Sequence, residues 1–204
     1  MRKSYERLER RTTVCRLVQA GSVMRCTTGL ALVVTVMAGL LASCATAPAT
    51  REDKAALVAE ASSRWQQMRT ADPALGALVQ RAHGYALFPD VGKAGLGVGG
   101  AYGRGVVYER GQHIGYADLT QGTIGAQVGG QSFSELLVFE HKAALDRFKA
   151  GEFGFAAGAS AVVLKSGVAT NPNFIDGVAV IVQPVGGVMA EAAIGGQQFT
   201  YQAK

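Results

Sequence analysis

Gly95-Leu96-Gly97-Val98-Gly99-Gly100-Ala101-Tyr102-Gly103-Arg104-Gly105 is the stretch that decides how the chain is read. Its odd positions are glycine except for Ala101, while its even positions carry Leu96, Val98, Tyr102 and Arg104. Successive strand residues point to opposite faces, so as a strand this segment has one nearly bare face. Glycine weakens a strand by itself, and a bare face is kept where backbone or helix packs closely or where the sheet bends sharply. The segment therefore predicts a tightly curved sheet. It also satisfies Gly-x-Gly-x-x-Gly, but a dinucleotide site needs those glycines between a strand and a helix. Tyr102, Gly103, Gly105, Val106 and Val107 continue a strand instead, so the match is read as coincidental.

Upstream the period is helical. Leu57, Ala61, Trp65 and Met68 form one apolar stripe over about residues 51–70, with Glu60, Arg64 and Gln67 off it. Asp72-Pro73 reads as an N-cap followed by proline in the first turn of a second helix running to about Ala82. Downstream, strands are expected at 105–110, 113–119, 122–130 and 133–140, with a turn at Arg110-Gly111-Gln112. Residues 141–150 return to helical spacing, with Gly151 as C-cap. Further strands are expected at 153–165, 177–183, 186–193 and 196–202, with a loop at 166–174. The order predicts an α+β fold in which N-terminal helices pack on a strongly curved, glycine-rich, mostly antiparallel, barrel-like sheet with one inserted helix.

The N-terminal region gives an address. An uncharged apolar run from Gly29 to Leu41 ends in Leu41-Ala42-Ser43-Cys44, which is similar to a bacterial lipobox. The 13-residue run is too short to span a bilayer core of about 30 Å comfortably, which suits a secretory signal. Residues 1–43 are thus expected to be a signal peptide, with Met24 as the expected true start. Cys44 is expected to carry acyl chains, residues 44–50 to be a lipidated tether, and residues 51–204 to form one domain. Ala45 after the cysteine suits sorting to the outer membrane, periplasmic face.

Trimming at Cys44 changes the charge argument. The whole chain is +5, but from Cys44 onward 13 Lys and Arg meet 13 Asp and Glu. Nucleic-acid binding loses its electrostatic support. Cys15 and Cys26 fall in the signal, so with Cys44 acylated no disulfide framework is expected.

Catalytic patterns are sparse. No Gly-x-Ser-x-Gly elbow exists, and His83, His113 and His141 lack metal-ligand spacing. No enzyme, cofactor or metal is expected. A transmembrane barrel is disfavoured by the few aromatic residues and the polar inserted helix. Basic side chains remain as candidate phosphate contacts: Lys93 before the bare-faced strand, Arg104 on its side-chain-bearing face, Lys142 in the inserted helix and Lys165 near the loop. Ordinary solvated charge, offset by Asp90, Glu109, Asp146 and Glu152, is the favoured reading from residue types alone.

His83-Gly84-Tyr85-Ala86-Leu87-Phe88-Pro89, Lys93-Ala94-Gly95, the Gly-x-Gly stretch, Gly122 to Gly130, and Glu135-Leu136-Leu137-Val138-Phe139 together resemble the SYLF domain. Arg147-Phe148 and Gly154 to Gly158 extend the resemblance, which covers about residues 75–203. It implies lipid binding, with Lys93 as a headgroup residue. Eukaryotic members bind phosphoinositides and are associated with actin, and bacterial members look like exported lipoproteins. Residues 51–70 are charge-balanced here, and a periplasmic protein does not meet actin, so that association is not expected. The expected function is a lipoprotein whose SYLF-like domain binds membrane phospholipid headgroups. The alternative is an envelope scaffold that binds envelope proteins without specific lipid recognition.

Overall fold

The computed structural model describes residues 50–152, 154–156, 161–163, 168–170 and 172–204. The expected signal peptide, Met24, Cys44 and Lys165 lie outside the described residues.

Helix α1, Arg51–Ala71, starts in a capping box. The Thr50 hydroxyl accepts from the Asp53 N–H at 3.1 Å, and the Asp53 carboxylate accepts from the Thr50 N–H at 3.4 Å. Its predicted stripe is the packed face: Leu57, Ala61 and Met68 are buried, and Trp65 is half-buried. Asp72 ends α1 by donating its N–H to Met68 O, and its Oδ1 accepts from the Ala74 N–H at 3.1 Å. With Pro73 already at helical φ −58°, Asp72 performs the predicted N-cap role for α2, Ala74–Arg81.

The strands are longer than the sequence pattern predicts. β1 is Gly84–Glu109, taking in the segment expected at 105–110 except Arg110, and β2 is Gln112–Phe139, taking in 113–119, 122–130 and 133–140 except Glu140. The three segments expected after residue 177 are likewise one strand, β5, Val178–Ala203. Residues left between the expected segments, such as Thr120-Gln121, Gln131-Ser132 and Ile194-Gly195, are instead paired within the ladders, where glycines face one another as in Gly100↔Gly122 and Gly122↔Gly196. Pro184 sits beside a register shift at Ser132/Phe133, where a bulge absorbs the missing N–H. Arg110 (φ 49°) and Gly111 (φ 80°) make a two-residue turn with both residues left-handed, and Gln112 already belongs to β2. Of the expected strand 153–165, the described parts are β3, Gly154–Ala156, and β4, Ala161–Val163. Val168–Thr170 is a short 3₁₀ turn in the expected loop.

The sheet runs β1-β2-β5-β3 antiparallel, and β4 pairs parallel to β5. Among the described residues no ladder joins β1 to β3 or β4, so the sheet has open edges. It is nevertheless sharply bent. A Cβ on Gly103 would lie 2.7 Å from Val91 Cγ2, and one on Gly105 would lie 2.7 Å from Phe88 and 2.9 Å from Leu87 O. The first and last parts of β1 therefore press together, and the bare face is where they meet. Gln197 of β5 hydrogen-bonds both Gln121 and Glu135, residues 14 apart on β2. An extended strand would separate those two by about 46 Å at roughly 3.3 Å per residue.

Two cores result. The inner face gathers Phe88, Val107, Leu119, Leu137, Phe139 and Phe199. Helix α3, Lys142–Lys149, adds Ala144, Leu145 and Phe148 to that core at the base, where Gly84, Glu109 and Phe139 lie. Its N-cap is His141, whose Nδ1 accepts from the Ala144 N–H at 3.2 Å. The outer face buries Leu87, Val106, Tyr116, Leu136 and Val138 against α1 and α2. At the opposite end, the tip, β1 bends over Gly95–Gly99.

Candidate functional site

The tip is built by glycine and one glutamine. A Cβ on Gly95 would lie 2.9 Å from the Gln127 side chain and 2.9 Å from Gly99 Cα. Gln127 fills the bend, accepting from the Thr123 hydroxyl at 2.8 Å and donating to Thr123 O and Gly97 O. Gly97, at φ +72°, takes the left-handed conformation at the register shift between Leu96 and Val98.

With its inner side occupied by Gln127, the tip turns its aliphatic side chains outward. Leu96 is 80 % exposed, Val98 67 %, Ile124 67 % and Val128 57 %. They are cross-strand partners, Leu96↔Val128 and Val98↔Ile124. Single exposed apolar residues are ordinary, but a contiguous set marks an interaction surface. No charged residue occurs in 94–103 or 119–134. On β5, Ile194 stands opposite Ile124 and Glu191 opposite Gln127 in register.

The structure distributes the predicted basic residues. Lys93 and Arg104 bracket the uncharged part of β1, on opposite faces by strand alternation. Lys93 is half-buried and stands opposite Gln131, while Arg104 is exposed and stands opposite Asp118. Tyr102 shares the Arg104 face and donates its hydroxyl to Asp118 Oδ1 at 3.1 Å. Lys142 is at the other end, on α3, paired with Asp146 at 2.6 Å. That hydrogen bond and charge pair hold the Lys142 ammonium pKa above its usual range. Lys93, Arg104 and Lys142 do not form one cluster.

Two features escaped the sequence pattern. The first is a groove of about 430 Å³ near the base, lined by Trp65, Arg69, Val79, Tyr85 and Arg110 among others. Trp65 stacks on Tyr85 at 5.8 Å, Tyr85 stacks on Tyr108 at 4.7 Å, and Arg69 lies 5.9 Å from the Trp65 ring. Burial, with Tyr108 beside it, pushes the Tyr85 hydroxyl up to about 12. These residues come from α1, α2, the start of β1 and the hairpin turn; Trp65 in the α1 stripe and Arg110 before Gly111 carried local signals, but no spacing brings them together.

The second is Glu135, 1 % exposed inside the bent sheet. Its Oε2 accepts from Gln197 Nε2 at 3.1 Å. Its Oε1 and Gln197 Oε1 have no hydrogen-bond partner among the described residues. Burial pushes its carboxyl up to about 7, against a smaller opposing effect of the Gln197 hydrogen bond.

No known family model matches the chain. A search of curated proteins finds no significant match either.

Proposed function

We propose that this chain is an exported lipoprotein, acylated at Cys44, whose SYLF-like domain binds phospholipid headgroups at the periplasmic face of the outer membrane. The observation that carries the reading is the position of Lys93 and Arg104. These two cations bracket a ten-residue uncharged span of β1, paired with an uncharged span of β2. A cationic rim around an uncharged tip matches the border between anionic headgroups and acyl chains, where each Lys or Arg contributes about 1 kcal/mol. Lys142 is engaged by Asp146 at the base, away from that rim; Lys165 lies outside the described residues.

Two measurements test the proposal. Mass spectrometry of the membrane-extracted protein should find an acylated Cys44 at the mature N-terminus, and an unmodified Cys44 would remove the lipoprotein reading. The Thr46–Lys204 part, which forms a compact unit of its own, should float with phosphatidylglycerol vesicles at low salt and be released as salt rises. Lys93→Gln combined with Arg104→Gln should abolish that flotation. Equal flotation of the double variant, or none with the natural residues, would defeat headgroup binding.

A further inference from the structure

We infer that the bent tip of the sheet is a membrane-inserting wedge: Leu96, Val98, Ile124 and Val128 enter the boundary between headgroups and acyl chains. The inference rests on the membrane reading above and adds a depth and an orientation to it.

Three observations carry it. The four side chains are the most exposed large aliphatics among the described residues, and they sit in two directly opposed cross-strand pairs. The outer face of β1 is also graded by chemistry. It reads Leu96, Val98, Gly100, Tyr102, Arg104 from the bend toward the base. Aliphatic groups come first, then a tyrosine with one polar end, then a cation. That is the order in which acyl chains, interface and headgroups follow one another across a leaflet. Finally, the backbone fits the location. Strand β2 is laddered to β5 without a break through the tip, and to β1 on either side of the bend, up to Ile124 and from Val128, so most of its N–H and C=O groups there are satisfied without water. Among the described residues no strand pairs with the outer edge of β1 there, which limits entry to the interfacial zone, about 5–10 Å deep.

A bilayer suits this surface better than a protein partner. Stable protein interfaces engage about 20–30 residues a side, and four side chains on a narrow bend fall well short of that. From Cys44 to the start of α1 there are only seven residues, so an acylated Cys44 holds the domain within about 25 Å of the lipid.

The test places a fluorophore at the tip of the full chain reconstituted in phosphatidylglycerol-containing vesicles. Leu96→Trp is compared with Ile175→Trp, an exposed site near the base. The natural chain, whose single tryptophan is Trp65, supplies the background. Lipids brominated on the acyl chains should quench most of the added emission at position 96 and little at position 175. Quenching at 96 by a headgroup-attached quencher but not by acyl bromines would overturn insertion and leave headgroup binding standing. Quenching at 96 by neither would overturn both. Equal acyl quenching at 96 and 175 would also overturn the wedge, since it would mean general embedding of the domain.

Discussion

Replacing Glu135 by glutamine should remove one component of the pH dependence of this protein's stability above pH 5. In the folded state the carboxyl sits inside the bent sheet with its pKa pushed up to about 7 from an ordinary 4.5. The folded state therefore binds a proton that the unfolded chain releases. Stability from this group is fully present below about pH 4.5 and is lost as pH rises through about 7. A shift of that size is worth about 3 kcal/mol, most of it lost between pH 5 and 8. The geometry gives the cause. With the proton on Oε1, the carboxyl is neutral and that oxygen becomes a donor, while Oε2 still accepts from Gln197 Nε2. Loss of the proton leaves a buried anion whose desolvation the Gln197 amide only partly offsets. Urea denaturation of the natural chain and of Glu135→Gln at pH 5 and pH 8 measures the effect. Burial also holds His113 below its usual range, which adds a pH dependence of its own. The quantity to read is therefore the difference between the two proteins. Identical loss of stability in both from pH 5 to pH 8 would refute the reasoning.

Other substitutions probe the bend and the helix joints. Gly105→Ala should cost about 2–3 kcal/mol, because the new methyl meets Phe88 and the backbone carbonyl of Leu87. Gly122→Ala, with nothing within 4 Å, should change the thermal midpoint little. Asp72→Ala should cost about 2–3 kcal/mol in chemical denaturation, since it removes the bond from the Ala74 N–H and another at 2.8 Å from the buried Ala169 N–H. His141→Ala should cost about 1 kcal/mol by uncapping α3, with helix content near residues 142–149 read by hydrogen exchange.

Much of the fold was legible because local chemistry and tertiary structure agree there. The stripe on α1, the Asp72 cap, the turn at Arg110-Gly111 and the bare face of 95–105 each follow from residue type and spacing. Strand lengths did not. Glycine and proline usually punctuate, and here they sit inside continuous ladders because glycines face one another across three strands, a pairing that sequence spacing cannot reveal. The site was legible only in part. Lys93 and Arg104 border the tip as their positions suggested, but Leu96, Val98, Ile124 and Val128 have the pattern of ordinary core residues. Their exposure follows from Gln127 filling the inner side of the bend, a contact made 30 residues away in sequence from Gly97. Glu135 lies in an apolar run, and nothing local says that its partner is Gln197.

The long antiparallel contact between β2 and β5 also constrains how the protein is made. Gly115 pairs with Ala203, and 25 residues of β2 pair along β5. Contacts of such sequence separation form slowly, because a long loop must close before any of them contributes. Until Val178–Ala203 is available, β2 presents a long row of unpaired amides and carbonyls, with Ile124 and Val128 beside them, to any other chain nearby. A chain emerging N-terminus first can complete its hairpin early, but it cannot cover that edge until its last strand arrives. The interval between those two events is when the edge of β2 is open to pairing with another chain.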